Sequence, residues 1–353
     1  MSEETKRKRV LNYLIKTLNG MALGLFSTLI IGVIIEQIGL LVGLVSFLDF
    51  SLFGQATLSE HLINLGNILK GFMGLGIGLG VAFSLNLKGL ALIGGAMAGG
   101  IGTQVHNDPV VAYLTTIAAI EGLRFILRKK TPLDILLIPL ISGLIAFFVA
   151  NLIGTPVNFV MTALGTYVKT ATEYQPFFMG VVLAVIIGMA LTSPISSAAI
   201  AIAISPVDQN IGLIGIAGGA AVVGGATQML GFAVMSRKDN NIGTVISIGI
   251  GTSMLQFKNI LKKPIIWLPP IIVSAILGPI STLVFRLEST AIGSGMGTSS
   301  FVGQIGVLDA MGHSVSVYLS IFILHFVLPI TLVWLCDRLF RFKGWIKEGD
   351  FTL

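Results

Sequence analysis

"GGAMAGGIGTQVHNDPVVAYL" occupies residues 94–114. It opens as a run of small apolar residues and turns polar at Thr103-Gln104. It then sets His106, Asn107 and Asp108 together and resumes an apolar run at Pro109. Small residues of this kind let membrane helices approach backbone to backbone. Asn-Asp-Pro is a good helix start, since Asp supplies an N-cap acceptor and Pro fits the first helical position. The stretch predicts one apolar helix ending near 105 and another beginning at 109, with a carboxylate and an imidazole at the join.

The rest of the chain repeats the pattern. Of 353 residues, 54% are hydrophobic and 11% charged, and the mean hydropathy is +0.94. A soluble domain carries about 25% charged residues. This chain lacks the polar groups to cover a water-facing surface, which implies an integral membrane protein of all-α class. Apolar runs long enough to span fall at about 17–38, 68–86, 89–105, 109–127, 133–153, 177–204, 210–235, 241–257, 265–287 and 314–336. The expected fold is therefore polytopic, with about ten transmembrane helices plus re-entrant or broken segments. The expected divisions are an N-terminal tail (1–16), a membrane transport domain (17–336) and a C-terminal tail (337–353). The stretch 155–176 reads as an interfacial helix, and the Gly-rich 291–313 as a re-entrant hairpin or unwound segment. Irregular backbone at membrane depth is tolerated only inside protein or beside a wet cavity.

Charge placement orients the chain. Lys6, Arg7, Lys8, Arg9 and Lys16 precede the first span, and Arg338, Arg341, Lys343 and Lys347 follow the last. By the positive-inside rule both ends read as cytoplasmic, in a cell membrane crossed many times. Loops at 124–132 and 258–263 agree. Arg237-Lys238 does not, because the span count puts it outside. Either that loop breaks the rule or one span is re-entrant, and 177–204, interrupted by Pro194, is the run singled out. The N-terminus lacks the order of a cleaved signal. The single cysteine, Cys336, excludes an internal disulfide and a multi-cysteine metal site.

Polar residues gather in five breaks: "GTQVHNDP" (102–109), "LTSPISSAAIAIAISP" (191–206), "GGATQM" (224–229), "GTSMLQF" (251–257) and "GMGTSSFVGQIG" (295–306). A broken helix frees N–H and C=O groups that can hold a polar solute. Hydroxyls and amides add donors and acceptors without full charge. The candidate solute-binding residues are Thr103, Gln104, His106, Asn107, Asp108, Thr192, Ser193, Thr227, Gln228, Gln256, Glu288, Thr298, Ser299 and Gln304. That chemistry suits a neutral, hydroxyl-rich solute such as a sugar. No nucleophile elbow, HExxH, Walker loop or zinc-ligand spacing is present, so no catalytic residue, metal or cofactor is expected.

Plainer readings stand beside these. Asp108 serves as a helix cap, a site residue, or both. The Thr-Ser-Pro break bends a helix or binds solute. Glu121 and Arg124 form a local ion pair. Arg286 and Glu288 snorkel at a span end, and His325 hydrogen-bonds between helices. "GGAMAGGIGTQ" (94–104) and "GGAAVVGGATQ" (218–228) are either a structural repeat or a coincidence of Gly/Ala-rich sequence.

Taken in order, "GGIGTQVHNDPVVAYL", "LTSPISSAAIAIAI", "PPIIVSAILGPISTLVF" and "GSGMGTSSFVGQIG" resemble a branch of the phosphotransferase-system enzyme IIC membrane proteins that includes toxin-gene regulators of the PfoR type. The resemblance covers nearly all of the chain after the first span. It implies a dimeric sugar permease with re-entrant hairpins, working with IIA and IIB phosphocarriers. The tails have no room for IIA or IIB domains, so those partners would be separate proteins. The alternatives are a membrane regulator or sensor, and a transporter coupled to ions through Asp108, Glu288 or His106. Direct binding of nucleic acid is not expected.

Overall fold

The computed structural model describes residues 3–45, 47–52, 54, 56–127, 131–172, 175–195, 197, 200–201 and 215–353, without the side chains of 3–8, 52, 161–162 and 164–172. Residues 128–130 of the basic loop, most of 196–206 and the start of the expected span at 210 lie outside this set. The chain divides into two units, Met1–Asn158 and Phe159–Leu353.

The N-terminal unit is built from α1 (Glu3–Leu25), α2 (Ile31–Gly43), a short β1–β2 hairpin (Ser51–Leu52 and Ala56–Thr57), α3 (Leu58–Gly71), α4 (Met73–Ser84), α5 (Leu90–Val105), α6 (Pro109–Ile126) and most of α7 (Asp134–Thr172). A single π turn, Phe26–Ile30, carries α1 into α2. The expected 1–16 tail is therefore helical from Glu3, and the first helix is longer than the apolar run suggested. Thr57 and Glu60 form a reciprocal capping box that starts α3, satisfying two N–H groups the helix leaves open. At Gly71-Phe72 the pair α3–α4 bends by 49°. Glycine seams hold the helices together. A Cβ on Gly24 would collide with the backbone of Gly76, and one on Gly99 with that of Gly74. α7 is 39 residues long, about 58 Å at 1.5 Å per residue. Of the interfacial helix expected at 155–176, residues 155–172 are the continuation of α7, with Pro156 inside it.

The C-terminal unit contains α8 (Pro176–Thr192), α9 (Ile216–Ser236), α10 (Ile242–Ile246), α11 (Phe257–Lys262), α12 (Leu268–Ile280), α13 (Ala291–Ser294), α14 (Val302–Met311), α15 (Val315–Ile321) and α16 (Leu328–Phe342). π turns prolong α10 to Gly251 and α12 to Phe285, and a third joins α15 to α16. α9 is the centre, with nearly every residue from Ala217 to Ser236 buried. The residues after Phe342 are not a free tail, because they fold back onto the unit. Phe351 is fully buried, edge-on to Phe232. Its N–H donates to Asp239 and its carbonyl accepts from Asn240 and Gln256. Asp350 pairs with Lys263 at 2.6 Å. Burying one such aromatic ring is worth about 1.5–3 kcal/mol.

These contacts correct the expected path of the chain. The turn after α9 (Asp239, Asn240) and the segment after α11 (Lys263) both touch residues 350–351. Residues 242–263 thus enter and leave at the same end of the unit. The helical stretch Ile242–Gly251 is ten residues, about 15 Å, half of a hydrocarbon core of about 30 Å. The stretch expected to cross at 241–257 instead turns back within the unit, and Arg237-Lys238 lies at the same end as Lys263. At the opposite end, the Pro176 carbonyl accepts from Thr282, and Gly219 packs on Leu287. α8 therefore starts at the end of the unit where α9 starts. Within 291–313, expected as a re-entrant hairpin or an unwound segment, the chain folds back on itself, with Thr290 N–H on the Gly306 carbonyl (3.2 Å).

Among the described residues, six helices are long and apolar enough to cross a membrane, or seven with the bent α3–α4 pair. Three shorter apolar helices are Leu90–Val105, Pro176–Thr192 and Ile242–Gly251. The echoed sequences fall on α5 and α9, but their surroundings differ. Gln104 is exposed and Gln228 fully buried.

Candidate functional site

Three broken-helix tips of the C-terminal unit carry the same dipeptide. Thr192-Ser193 closes α8, Thr252-Ser253 follows the π turn after α10, and Thr298-Ser299 lies between α13 and α14. A helix that stops leaves carbonyls and N–H groups without intrahelical partners. A hydroxyl one bond from the backbone is well placed to meet them.

The three tips bind one another. Thr192 Oγ1 and Ser253 Oγ are 2.8 Å apart. Thr298 Oγ1 donates to the Gly249 carbonyl (2.6 Å) and Ser299 Oγ to that of Gly251 (2.8 Å). Ser197 Oγ donates to the Gly295 carbonyl (2.6 Å). Gly297, at φ 54°, lies on Gly225 of α9, where a Cβ on either residue would clash. Ser300 and Phe301 are also held at positive φ, a conformation that costs about 1–3 kcal/mol for non-glycine residues and clusters at functional turns.

Gln228 of α9 lies beside the tips. Its Oε1 accepts from Trp267 Nε1 (3.0 Å) and, at 3.4 Å, from Thr192. Its Nε2 is buried without a hydrogen-bond partner among the described residues, as are Ser300 Oγ, Gln304 Oε1 and His325 Nε2. Gln304 Nε2 and His325 Nδ1 are 3.0 Å apart, so His325 bonds between helices as expected. A buried polar atom left alone costs about 1–3 kcal/mol. Such atoms beside a broken-helix centre are ready donors and acceptors for a solute.

The remaining expected residues divide as follows. Thr227 gives its hydroxyl to the Val223 carbonyl. Gln256 is taken up by the Phe351 carbonyl and Asn259, so it holds the folded-back C-terminal residues instead of facing the tips. Glu288 is at the Leu287 end of the unit, where its N–H meets Met311 Sδ. In the N-terminal unit, Thr103 bonds back to the Gly100 carbonyl, and Gln104 and Asn107 are exposed. Asp108 caps α6, accepting from Val110 N (2.7 Å) and Val111 N (3.2 Å). Burial raises its carboxyl above the ordinary value, against those two bonds and His106, which pull it down. His106 packs on Gly154. Glu121 and Arg124 form the expected ion pair at 2.6 Å.

Ser253, Ser197, Trp267 and His325 were not among the candidates. Ser253 had a signal, because Thr-Ser recurs at 192–193, 252–253 and 298–299. Trp267 had none, since its partner is 39 residues away.

The family model for the phosphotransferase system, EIIC, matches residues 15–353. No curated protein matches the chain, and no solved structure does.

Proposed function

The chain belongs to the phosphotransferase-system EIIC family, the membrane sugar-transport components, and from that premise we propose that it is a permease whose solute, a sugar or sugar derivative, is handled where the three Thr-Ser tips meet Gln228. The observation that carries this is the meeting of Thr192, Ser253, Thr298 and Ser299 against α9, with buried hydroxyls and amides and, among the described residues, no carboxylate or ammonium in the hydrogen bonds they make. Uncharged donors and acceptors match a polyol. Gln228 and Gln304 supply the unpaired amide atoms, and Thr192 and Ser193 line the α8 tip.

The topology we infer has eight crossings, made by the six long helices, the bent pair and α5, with three re-entrant segments in the C-terminal unit. It places both termini on the cytoplasmic side. All basic clusters, Arg237-Lys238 included, then obey the positive-inside rule. IIA and IIB phosphocarriers work with it, IIB passing the phosphoryl group to the sugar, and the assembly is a homodimer, as the family resemblance implies. His106–Asp108 borders the solute route in its own unit.

The test is uptake by proteoliposomes across a carbohydrate panel, with and without cytosolic phosphocarriers. Gln228→Leu abolishes uptake while the protein still inserts. A panel in which no carbohydrate is bound or moved refutes the reading. Uptake driven by an imposed ion gradient without a phosphoryl donor refutes the coupling.

A further inference from the structure

Where α9 and α16 end, a recess of about 360 Å³ is lined by Arg237, Lys238, Trp334, Asp337, Arg338 and Arg341. Four cations face one carboxylate. That carboxylate is already engaged, because Arg341 Nε donates to both oxygens of Asp337 at 3.0 and 2.8 Å. Arg341 is pinned further by the Met235 carbonyl (3.0 Å) and lies over the Phe351 ring. Arg237 donates to the Val234 carbonyl (2.7 Å). These two arginines satisfy carbonyls at the end of α9, where a helix carries partial negative charge.

The other two cations have no such duty. Arg338 stacks on Trp334, 5.5 Å from the ring centroid, and has no carboxylate partner among the described residues. Lys238 reaches Glu348 only at 3.7 Å, with both side chains more than half exposed, and such a pair contributes little.

The neighbouring face of α16 is apolar and open. Leu335, Leu339 and Phe342 are 53%, 53% and 88% exposed. Their spacing of four and three aligns them on one face, beside the row Trp334, Arg338 and Arg341. A cationic hollow beside a greasy ridge is amphipathic in the same sense as a phospholipid. We propose that the recess binds the phosphate of an anionic phospholipid, with acyl chains running past Leu339 and Leu335 toward the start of α16. A soluble phosphate would use the cations alone, whereas a phospholipid would engage the cations and the ridge together.

The experiment uses the full-length protein in neutral detergent. Thermal unfolding and native mass spectrometry are read with added phosphatidylglycerol, phosphatidylcholine or inorganic phosphate. Phosphatidylglycerol should raise Tm and remain bound, while the other two should do neither. The double variant Lys238→Gln/Arg338→Gln removes two cations that make no hydrogen bond among the described residues. It should keep its lipid-free Tm and bind phosphatidylglycerol about thirtyfold more weakly, on about 1 kcal/mol per basic residue. Lys238→Arg/Arg338→Lys should restore binding.

Equal stabilisation by phosphatidylcholine would overturn the proposal. So would a shift reproduced by inorganic phosphate alone, which would mark a soluble-anion site, or a double variant that binds as tightly as the parent. If the double variant does not fold, the comparison of the two lipids on the parent protein decides.

Discussion

Joining the α8 tip to the α10 tip tests whether they must part during transport. Thr192 and Ser253 carry hydroxyls 2.8 Å apart, with 61 residues between them in sequence. Cysteines there place two sulfurs on the same approach, within reach of disulfide geometry after a small side-chain adjustment. Cys336 is the only native cysteine and is first replaced by Ser to prevent mispairing. Closing a loop of this length restricts the unfolded chain by about 4 kcal/mol in the chain-entropy description. The oxidised Thr192→Cys/Ser253→Cys protein should therefore melt well above its reduced form in a thermal scan, and it should carry no sugar. Reductant should lower the melting temperature and restore uptake together. An oxidised protein that transports as fast as the reduced one would show that the tips need not separate. A pair that cannot be oxidised would refute the placement of the two tips.

Other changes probe the supports of the site. Gln304→Leu and His325→Leu should each cost about 1–3 kcal/mol by stranding the partner, and the double substitution should cost less than their sum; unfolding midpoints of the three variants provide the check. Phe351→Ala should cost about 3–5 kcal/mol and expose the 242–263 segment to protease, whereas unchanged proteolysis would mean the folded-back residues do not hold it. Asp108→Asn keeps a capping side chain and removes a titration. Because burial raises the Asp108 carboxyl above its ordinary value, its neutral form is favoured in the folded protein, and the native stability contributed by that form declines as pH rises above the ordinary carboxyl range. The Asn variant should flatten this slope in pH-resolved melting curves, and Asp108→Ala should lose about 1 kcal/mol at every pH.

Helices joined by a sharp chemical signal were legible in the sequence. The expected 89–105 and 109–127 spans became Leu90–Val105 and Pro109–Ile126, because Asp108-Pro109 fixes the boundary by local bonding alone. The 241–257 run misled, since hydropathy is the same for a helix that crosses and a helix that turns back halfway. The misfit of Arg237-Lys238 singled out 177–204, and α8 in that run does start at the end where α9 starts; the second turn-back, at 242–263, had no signal of its own. Gln256 looked like a site residue because an amide in an apolar run needs a partner. Its partner, the Phe351 carbonyl, is 95 positions away, a distance at which sequence pattern is silent. The hydroxyl tips were visible one by one, but their pairing depends on three turns arriving at one place.

That pairing has a consequence for how the protein responds to its surroundings. A hydroxyl can give or take a proton in a hydrogen bond simply by rotating, and the Thr192–Ser253 bond can run in either direction. When a solute hydroxyl displaces one of them, like replaces like, and neither ionisation nor net charge movement accompanies the swap. The central step should therefore be electroneutral, indifferent to membrane voltage, and nearly flat across the pH range in which the fold persists.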